Sequence, residues 1–278
     1  MANKCVIQPV ILAAGKGKRI MNEAVASGMG ELPKVLYPLH GTPLIDYPLQ
    51  SLQTVAAEHA DIEWRQPIVV VGFMQEKVRE HLRDGVQFVV QDNPQGTGHA
   101  VMVCADAIAD DVDGVLVLNG DMPAWKPSTI YGVAHEFAQK RPSIVLSVVT
   151  FTDPTYTADF FAYGRIVRDA DGKVQRIVEQ KDATDEQRTI AECNPSLYCF
   201  DRHWLFSALT HITNNNSQGE YYLTDILEWA ITDNQPVATR AAADWREALG
   251  INTLDQLQLA EQLLTDYAHS QHNSIRSS

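Results

Sequence analysis

Cysteine is scarce in this sequence, and the thiols that are present are scattered. The chain of 278 residues has 4 cysteines, and no two of them form a CxxC pair. Scattered thiols in a chain of this length argue against a disulfide framework and indicate a reducing compartment. We therefore expect the thiols to be structural, packed as small apolar side chains. They are Cys5, Cys104, Cys193 and Cys199.

Long apolar runs are missing as well. The N-terminus lacks the apolar core of a signal peptide, and no window approaches the ~20 apolar residues that a membrane-spanning helix needs. The sequence therefore predicts a cytoplasmic protein with no membrane segment.

Positive charge is also in deficit. The formal net charge of -13 argues against nucleic acid or an anionic membrane as a partner, because those partners select basic surfaces. The exception is the segment AAGKGKR, residues 13–19, where Lys16, Lys18 and Arg19 cluster around two glycines. This basic loop requires a local explanation.

The apolar residues, 45% of the chain, follow an alternating order of strands and helices. Runs of strand length occur at VIQPVILAA, PIVVVGF, QFVVQ, GVLVLNGD and SIVLSVVTF, and stretches with helical periodicity separate them. This order predicts an α/β fold, a Rossmann-like and mostly parallel sheet flanked by helices on both faces.

The pattern changes after residue 151. YGRIVRDADGKVQRIVEQ contains two alternating stretches around Asp171-Gly172, which predicts a β-hairpin. No long linker is present, so we expect one domain over 1–269, with two halves that meet at about 151–152. The polar end, 270–278, is expected to be disordered.

The basic loop follows the first predicted strand, the position where doubly wound sheets commonly bind phosphate. Gly15 and Gly17 permit a sharp turn with backbone N–H groups close to phosphate oxygens. The segment lacks the G-x-x-x-x-G-K-[ST] pattern, and Ile20 stands where G-x-G-x-x-G has its third glycine. That departure disfavours an NAD-dependent oxidoreductase. On this segment alone, a plain structural turn remains an alternative.

Further motifs follow in one order along the chain: LPKVL, QGTGHA, NGDMP, YGRIVR, IVEQKDATDEQR, NNNSQGEYYLTDI and GINT. Together with ILAAGKGKR, this set closely resembles the sugar-1-phosphate nucleotidyltransferases, in particular the pyrophosphorylase part of bacterial N-acetylglucosamine-1-phosphate uridylyltransferases. The resemblance spans roughly residues 6 to 255, and it implies a nucleotide-binding half at about 1–151 and a sugar-binding half at about 152–269. It implies a nucleotide-diphospho-sugar transferase fold and synthesis of UDP-N-acetylglucosamine and pyrophosphate from UTP and N-acetylglucosamine 1-phosphate.

The resemblance also implies a site with several parts. Arg19 and Lys34 would act on the phosphates, where Arg offers a fork of donors and Lys a compact charge. The nucleotide would contact Ala13, Gly15, Gln91, Gly96 and Thr97. The sugar phosphate would face Gly164, Glu179, Asn194, Tyr222 and Thr224.

For the metal, the resemblance implies Mg²⁺ held by Asp121 and Asn252. One carboxylate and one amide oxygen suit a hard cation that takes its remaining ligands from water and substrate. Taken separately, Asp121 fits a turn, Asn252 a helix cap and Lys34 a surface lysine. His99 is expected to be structural, since this chemistry needs no imidazole.

Three features depart from the family pattern. Pro195 and Ser196 follow Asn194 where relatives show a small residue and glycine, which leaves another hexose or hexosamine 1-phosphate open as substrate. NEAVASGMGE, residues 22–31, is longer than usual, and it is either a lid over the triphosphate or a neutral surface insertion. The sequence also stops before a β-helix of hexapeptide repeats, so no acetyltransferase activity is expected. A non-catalytic sugar-nucleotide-binding protein with the same fold remains the alternative outside enzymes.

Overall fold

The computed structural model describes residues 4–151 and 163–276. In the first part, the strands are β1 (Cys5–Leu12), β2 (Pro38–Leu39), β3 (Thr42–Pro43), β4 (Ile62–Trp64), β5 (Ile68–Val71), β6 (Gln87–Val90), β7 (Gly114–Asn119) and β8 (Ile144–Thr150). The helices there are α1 (Lys18–Ala26), α2 (Asp46–Glu58), α3 (Gln75–Leu82), α4 (Thr97–Met102) and α5 (Pro127–Lys140).

The second part is richer in antiparallel strands. Its strands are β9 (Gly164–Arg168), β10 (Val174–Val178), β11 (Glu192–Asn194), β12 (Tyr198–Asp201) and β13 (Val237–Ala241). Its helices are α6 (Asp185–Arg188), α7 (Arg202–Ala208), α8 (Asp225–Thr232) and α9 (Leu254–Arg276). The expected hairpin is confirmed: β9 and β10 pair antiparallel, and the turn places Gly172 at φ +78°.

Within the described residues, 11 strands form one mixed sheet with the main order β10-β9-β11-β8-β12-β7-β1-β5-β6. β13 pairs with β8, and β4 pairs with β1. Strands β7, β1, β5 and β6 run parallel, whereas β12 lies between β7 and β8 and is antiparallel to both. The predicted α/β class, a mostly parallel mixed sheet flanked by helices, is confirmed.

Alternation along the central strands explains the two apolar layers. Ile7 and Ile11 of β1 pack into one cluster of buried side chains, and Val10 packs into the other. Because successive side chains of a strand point to opposite faces, a buried strand needs apolar residues at both parities. All four cysteines are buried, no disulfide joins them, and burial raises the pKa of the Cys104 thiol to about 12. Buried thiols match the structural role predicted for them.

The order of the parallel strands determines where a ligand can bind. β1 lies between β7 and β5, so the later parallel strands are added on both sides of β1. In such sheets, the crevice at the carboxyl ends of the strands around this switch point binds ligands. The basic loop follows β1, and Asp121 lies two residues beyond the end of β7.

The domain limits expected from the sequence stay predictions. α9 extends to Arg276, past the expected limit at residue 269, and 254–276 contains neither Pro nor Gly to end a helix. The boundary predicted near 151–152 borders residues 152–162, which lie outside the described part, as do the last residues of the expected tail, 277–278. The division into two halves stays a prediction. No helix in the described part is both long and apolar enough to span a bilayer.

Glu247 is a buried carboxylate that links the start of α5 to the segment before α9. Its side chain is 1% exposed, Oε2 accepts a hydrogen bond from the Lys126 backbone N–H at 3.2 Å, and Oε1 lies 3.7 Å from Lys126 Nζ. We expect Glu247→Ala to lower the free energy of unfolding by about 1–3 kcal/mol, because it leaves a helix-terminal donor without its acceptor. Urea unfolding checks this, with Glu247→Gln, which keeps an acceptor, losing less. Equal stability of the alanine variant and the wild type would contradict the stabilising role given to Glu247.

Candidate active site

A cleft of about 800 Å³ opens at the carboxyl edge of the central strands. Most of the predicted site residues line it, although they come from distant parts of the chain. Those residues are Ala13, Gly15, Arg19, Lys34, Gln91, Gly96, Thr97, Asp121, Gly164, Glu179, Asn194 and Asn252. Tyr222 and Thr224 instead line an adjoining cavity of about 210 Å³, which also contacts Glu179 and Ser196.

The basic loop forms one wall of the cleft. Lys16, Lys18 and Arg19 are exposed and line the cavity, and no carboxylate among the described residues pairs with them. Gly17, at φ +55°, precedes α1, and a Cβ there would lie 2.5 Å from Lys34 Cβ. A glycine is therefore required at this position, both for the turn and for the close approach of Lys34. In a protein with net charge -13, unpaired cations in a cleft favour an anionic ligand.

Lys34 lies at the centre of the cleft, between two side-chain oxygens that accept from its ammonium group. Its Nζ donates to Asn252 Oδ1 at 2.9 Å and forms a short ion pair with Asp121 Oδ2. These contacts exclude the alternative of a surface lysine. The backbone places the partners: Ile251 N–H donates to the Asp121 carbonyl at 3.1 Å, which brings Asn252 beside the end of β7.

Asn252 does not cap α9 with its side chain. Thr253 Oγ1 accepts from Gln256 N–H at 3.2 Å, and Gln256 Oε1 accepts from Asn252 N–H at 2.6 Å. Glu23 Oε2 accepts from Leu254 N–H at 2.7 Å, so a residue of the inserted segment 22–31 also stabilises this helix start. The Asn252 amide oxygen is therefore not used by the helix start, and it accepts from Lys34 Nζ instead.

Asp121 and Asn252 fit a divalent cation. Their side-chain oxygens converge on one positive group, the Lys34 ammonium, which stands where a cation would be stabilised by both. A carboxylate and an amide oxygen are ligands that Mg²⁺ accepts, with water and substrate phosphates completing its coordination. The convergence supports the pair as metal ligands, a role that stays a proposal.

The end of the cleft near β6 is built around Gln91. Its side chain is buried, and its Nε2 lies 3.1 Å from the Gly96 carbonyl oxygen and 2.9 Å from His99 Nδ1. Ala13 N–H donates to the Val70 carbonyl at 2.9 Å, so the sheet already uses that donor. Ala13 can therefore contact a base only through its carbonyl oxygen or its side chain.

Gly96 and Thr97 join the two halves of the chain. Gly96 has φ +100°, and a Cβ there would lie 2.5 Å from the Tyr221 carbonyl oxygen. Thr97 Oγ1 accepts from Leu223 N–H at 3.1 Å. The threonine hydroxyl thus fixes the segment that follows Tyr222, in addition to lining the cleft.

The opposite end of the cleft carries carboxylate and amide groups. Glu179 Oε1 accepts from Thr224 Oγ1 at 2.8 Å, so Thr224 holds the carboxylate from the adjoining cavity. Burial raises the pKa of Glu179, and it raises the pKa of the neighbouring Asp225 to about 6, with Glu179 adding to that shift. Tyr222 OH accepts from Gln218 Nε2 at 2.8 Å. This end offers acceptors for sugar hydroxyls.

Asn194 is held rigidly beside Glu179. Its Nδ2 lies 2.5 Å from Tyr198 OH, and its Oδ1 accepts from Ser196 N–H at 3.1 Å. Both halves of the amide therefore already have partners within the protein. Gly164, at the start of β9, completes the wall next to this amide.

Comparison with known proteins identifies the family of this chain. Residues 9–228 match the family model described as a MobA-like NTP transferase domain. The chain belongs to this nucleotidyltransferase family. It is 40% identical to the "Bifunctional protein GlmU" of Heliobacterium modesticaldum over 92% of this chain and 52% of that protein. It is 38% identical to the GlmU of Desulfotalea psychrophila over 92% of this chain and 69% of that protein.

Most of these GlmU relatives are considerably longer, and the chain spans about half the length of several, such as that of Geotalea daltonii (51%). Among solved structures, a putative glucose-1-phosphate thymidylyltransferase from Bacillus anthracis aligns with TM-score 0.71 and 20% identity, over 92% of this chain and 94% of that one. At this identity the likeness supports the fold alone. The resemblance to sugar-1-phosphate nucleotidyltransferases predicted from the sequence is confirmed at the level of the family.

The structure of this MobA-like chain adds residues to the predicted site. Charged and polar side chains that also line the cleft are Lys16, Lys18, Asn119, Tyr163, Gln180, Lys181, Gln218 and Glu220. Several stand next to predicted positions, in AAGKGKR, VLNGD and IVEQKDA. Gln218 and Glu220 lie in NNNSQGEYYLTDI, and the position of all these residues in quoted motifs is the signal that would have found them.

Ser196 adopts a backbone conformation that favours glycine. Its φ is +61°, in the left-handed region, and the Asn194 side chain bonds its N–H. We expect Ser196→Gly to raise the free energy of unfolding by up to about 1 kcal/mol, because glycine removes the Cβ strain and loses some of that gain to unfolded-chain entropy. Thermal unfolding measures the sign. A less stable glycine variant would show that the hydrogen bond between the serine side chain and Tyr198 outweighs the strain.

Proposed function

We propose that this protein is a Mg²⁺-dependent uridylyltransferase that makes UDP-N-acetylglucosamine and pyrophosphate from UTP and N-acetylglucosamine 1-phosphate. One observation carries the proposal: a single cleft has the Gln91 amide at one end, unpaired cations in the middle, and the Glu179 carboxylate with the Asn194 amide at the other end. This order corresponds to base, phosphates and sugar. The GlmU relatives support the choice of family, and the substrates are our inference.

The chemistry requires positioning and charge more than a protein nucleophile. A phosphate oxygen of the sugar 1-phosphate attacks the α-phosphorus of UTP, the bond from that phosphorus to the bridging oxygen breaks, and pyrophosphate leaves with its electron pair. Arg19 and Lys34 would hold phosphate oxygens and offset the charge of the transition state. Mg²⁺, bound at Asp121 and Asn252, would neutralise phosphate charge and align the reacting groups.

The binding of phosphates would rearrange Lys34. Its ammonium contacts Asp121 and Asn252 in the structure, and it also packs against Gly17 of the basic loop. A lysine at this junction can turn from the two oxygens to phosphate oxygens of the substrate over a short path. Its compact charge on a flexible stem suits such a transfer.

A second candidate keeps the reaction and changes the sugar. Ser196 places a side chain where the family pattern has glycine, and the Asn194 amide is already bonded at both ends. A site rejects a sugar analogue strongly when that analogue leaves buried polar groups of the site without partners. A small change in this segment can therefore redirect the choice of hexose. Another hexose or hexosamine 1-phosphate is therefore the alternative substrate.

Pyrophosphate release tests both candidates. The protein is incubated with UTP, Mg²⁺ and, in separate reactions, the 1-phosphates of N-acetylglucosamine, N-acetylgalactosamine, glucose and glucosamine. Release with N-acetylglucosamine 1-phosphate above all others is the expected result. Preference for another sugar would support the second candidate, and no release with any sugar or nucleotide would leave a sugar-nucleotide-binding protein.

A further inference from the structure

His99 lies at the amide-lined end of the cleft, on α4, next to the residue proposed to contact the base. It is half-buried, and its Nδ1 lies 2.9 Å from Gln91 Nε2. The chemistry of phosphoryl transfer gives this imidazole no task. Its contact with Gln91 is the observation that indicates a task for the imidazole.

The second partner of Gln91 determines which way the side-chain amide points. Gln91 Nε2 also lies 3.1 Å from the Gly96 carbonyl oxygen, which can only accept a hydrogen bond. With the amide reversed, two oxygens would face each other, so the NH₂ group must be the one beside Gly96. The second N–H of that group then points to His99, whose Nδ1 must accept. Only neutral imidazole protonated on Nε2 meets that requirement.

This arrangement leaves a single hydrogen-bonding atom of the Gln91 amide for a ligand. Both N–H groups are used by Gly96 and His99, and no donor among the described residues reaches Oε1. A fixed acceptor pairs with the imide N–H of uracil or thymine. Cytosine presents an acceptor at the same ring position, so it would face the amide oxygen with its own lone pair.

We propose that His99 is a positioning residue that holds the Gln91 amide with its oxygen available to the base, and thereby selects uracil or thymine nucleotides over cytosine nucleotides. The proposal rests on the assignment of this cleft to a nucleotide under the proposed function. It does not require that the bound nucleotide react. Binding alone can therefore test it.

The experiment measures dissociation constants by calorimetry for UTP and CTP, with Mg²⁺ and without sugar phosphate, so that no nucleotide is consumed. In His99→Ala, Gly96 still favours one amide orientation, but the second restraint is lost. We expect the preference for UTP over CTP to fall about five- to tenfold, equivalent to the loss of one hydrogen bond. His99→Asn, whose side-chain oxygen can accept near the position of Nδ1, should keep most of the preference.

Controls separate positioning from a general structural effect. His203→Ala, an exposed position on α7 away from the cleft, should match the wild type for both nucleotides. A merely structural role for His99 would weaken UTP and CTP binding equally and leave their ratio unchanged, which would overturn the proposal. Thermal unfolding of each variant confirms that it is folded.

Failure of the proposed function has a different signature. If the wild type binds UTP more tightly than CTP but releases no pyrophosphate with any sugar 1-phosphate, the uridylyltransferase assignment is wrong. The role of His99 is then still tested by the ratio of the UTP and CTP dissociation constants in the variants. If the wild type binds UTP and CTP equally, the positioning proposal is overturned whatever the turnover.

Discussion

Replacing Asp121 by alanine is expected to lower the rate of pyrophosphate release by roughly a hundredfold or more at saturating Mg²⁺. The Asp121 carboxylate is the one charged oxygen donor of the proposed metal pair, and it also pairs with Lys34. Its loss removes a ligand and leaves Lys34 bonded to the Asn252 amide oxygen alone. Initial rates at several Mg²⁺ concentrations measure the effect.

Metal binding gives a second readout for the same variant. Mn²⁺, followed by its paramagnetic resonance signal, should bind Asp121→Ala in the presence of UTP more weakly than it binds the wild type. Asp110→Ala is the matched control, because Asp110 is 95% exposed and pairs with Arg202 outside the cleft. Unchanged turnover in Asp121→Ala would remove this residue from the catalytic group.

Arg19→Ala is expected to reduce turnover to a similar extent, by roughly a hundredfold. Arg19 is exposed in the cleft, and no carboxylate among the described side chains neutralises it, so its charge is available to phosphate oxygens. An arginine presents a planar fork of donors to two phosphate oxygens, and the compact ammonium groups of Lys16 and Lys18 lack that geometry. Steady-state kinetics with varied UTP would measure the loss.

A lysine at position 19 distinguishes charge from geometry. Arg19→Lys keeps the charge and loses the fork, so it should recover only part of the rate. Lys140→Ala, which removes an exposed cation of α5 paired with Glu136, should behave as the wild type. If Arg19→Ala retained full activity, the lysines of the basic loop alone would bind the polyanion.

The parts of the fold that could be predicted are those with local causes. Alternation in YGRIVRDADGKVQRIVEQ and the Asp171-Gly172 turn lie within one short segment, and both specify the hairpin. α1 was not predicted, because Gly17 precedes it in a left-handed conformation instead of a Ser, Thr or Asp cap. β13 was missed as well, since VATRA is short and has exposed residues at one end.

The candidate site shows the same division. The family resemblance assigned Lys34, Asp121 and Asn252 to one site, and the structure brings them into contact. It also assigned Thr224 to the sugar, and the structure shows that this hydroxyl bonds Glu179 from an adjoining cavity. That contact joins residues 45 positions apart, and no periodic pattern encodes it.

By itself, the sequence determined the α/β class, the β9–β10 hairpin and the concentration of cations after the first strand. These follow from side-chain period, turn chemistry and composition, which act over a few residues. Only the tertiary structure decided that the Lys34 ammonium lies between Asp121 and Asn252, and that Gly96 and His99 orient Gln91. Directional hydrogen bonds set these arrangements, and their partners meet only after the sheet has brought its loops to one edge.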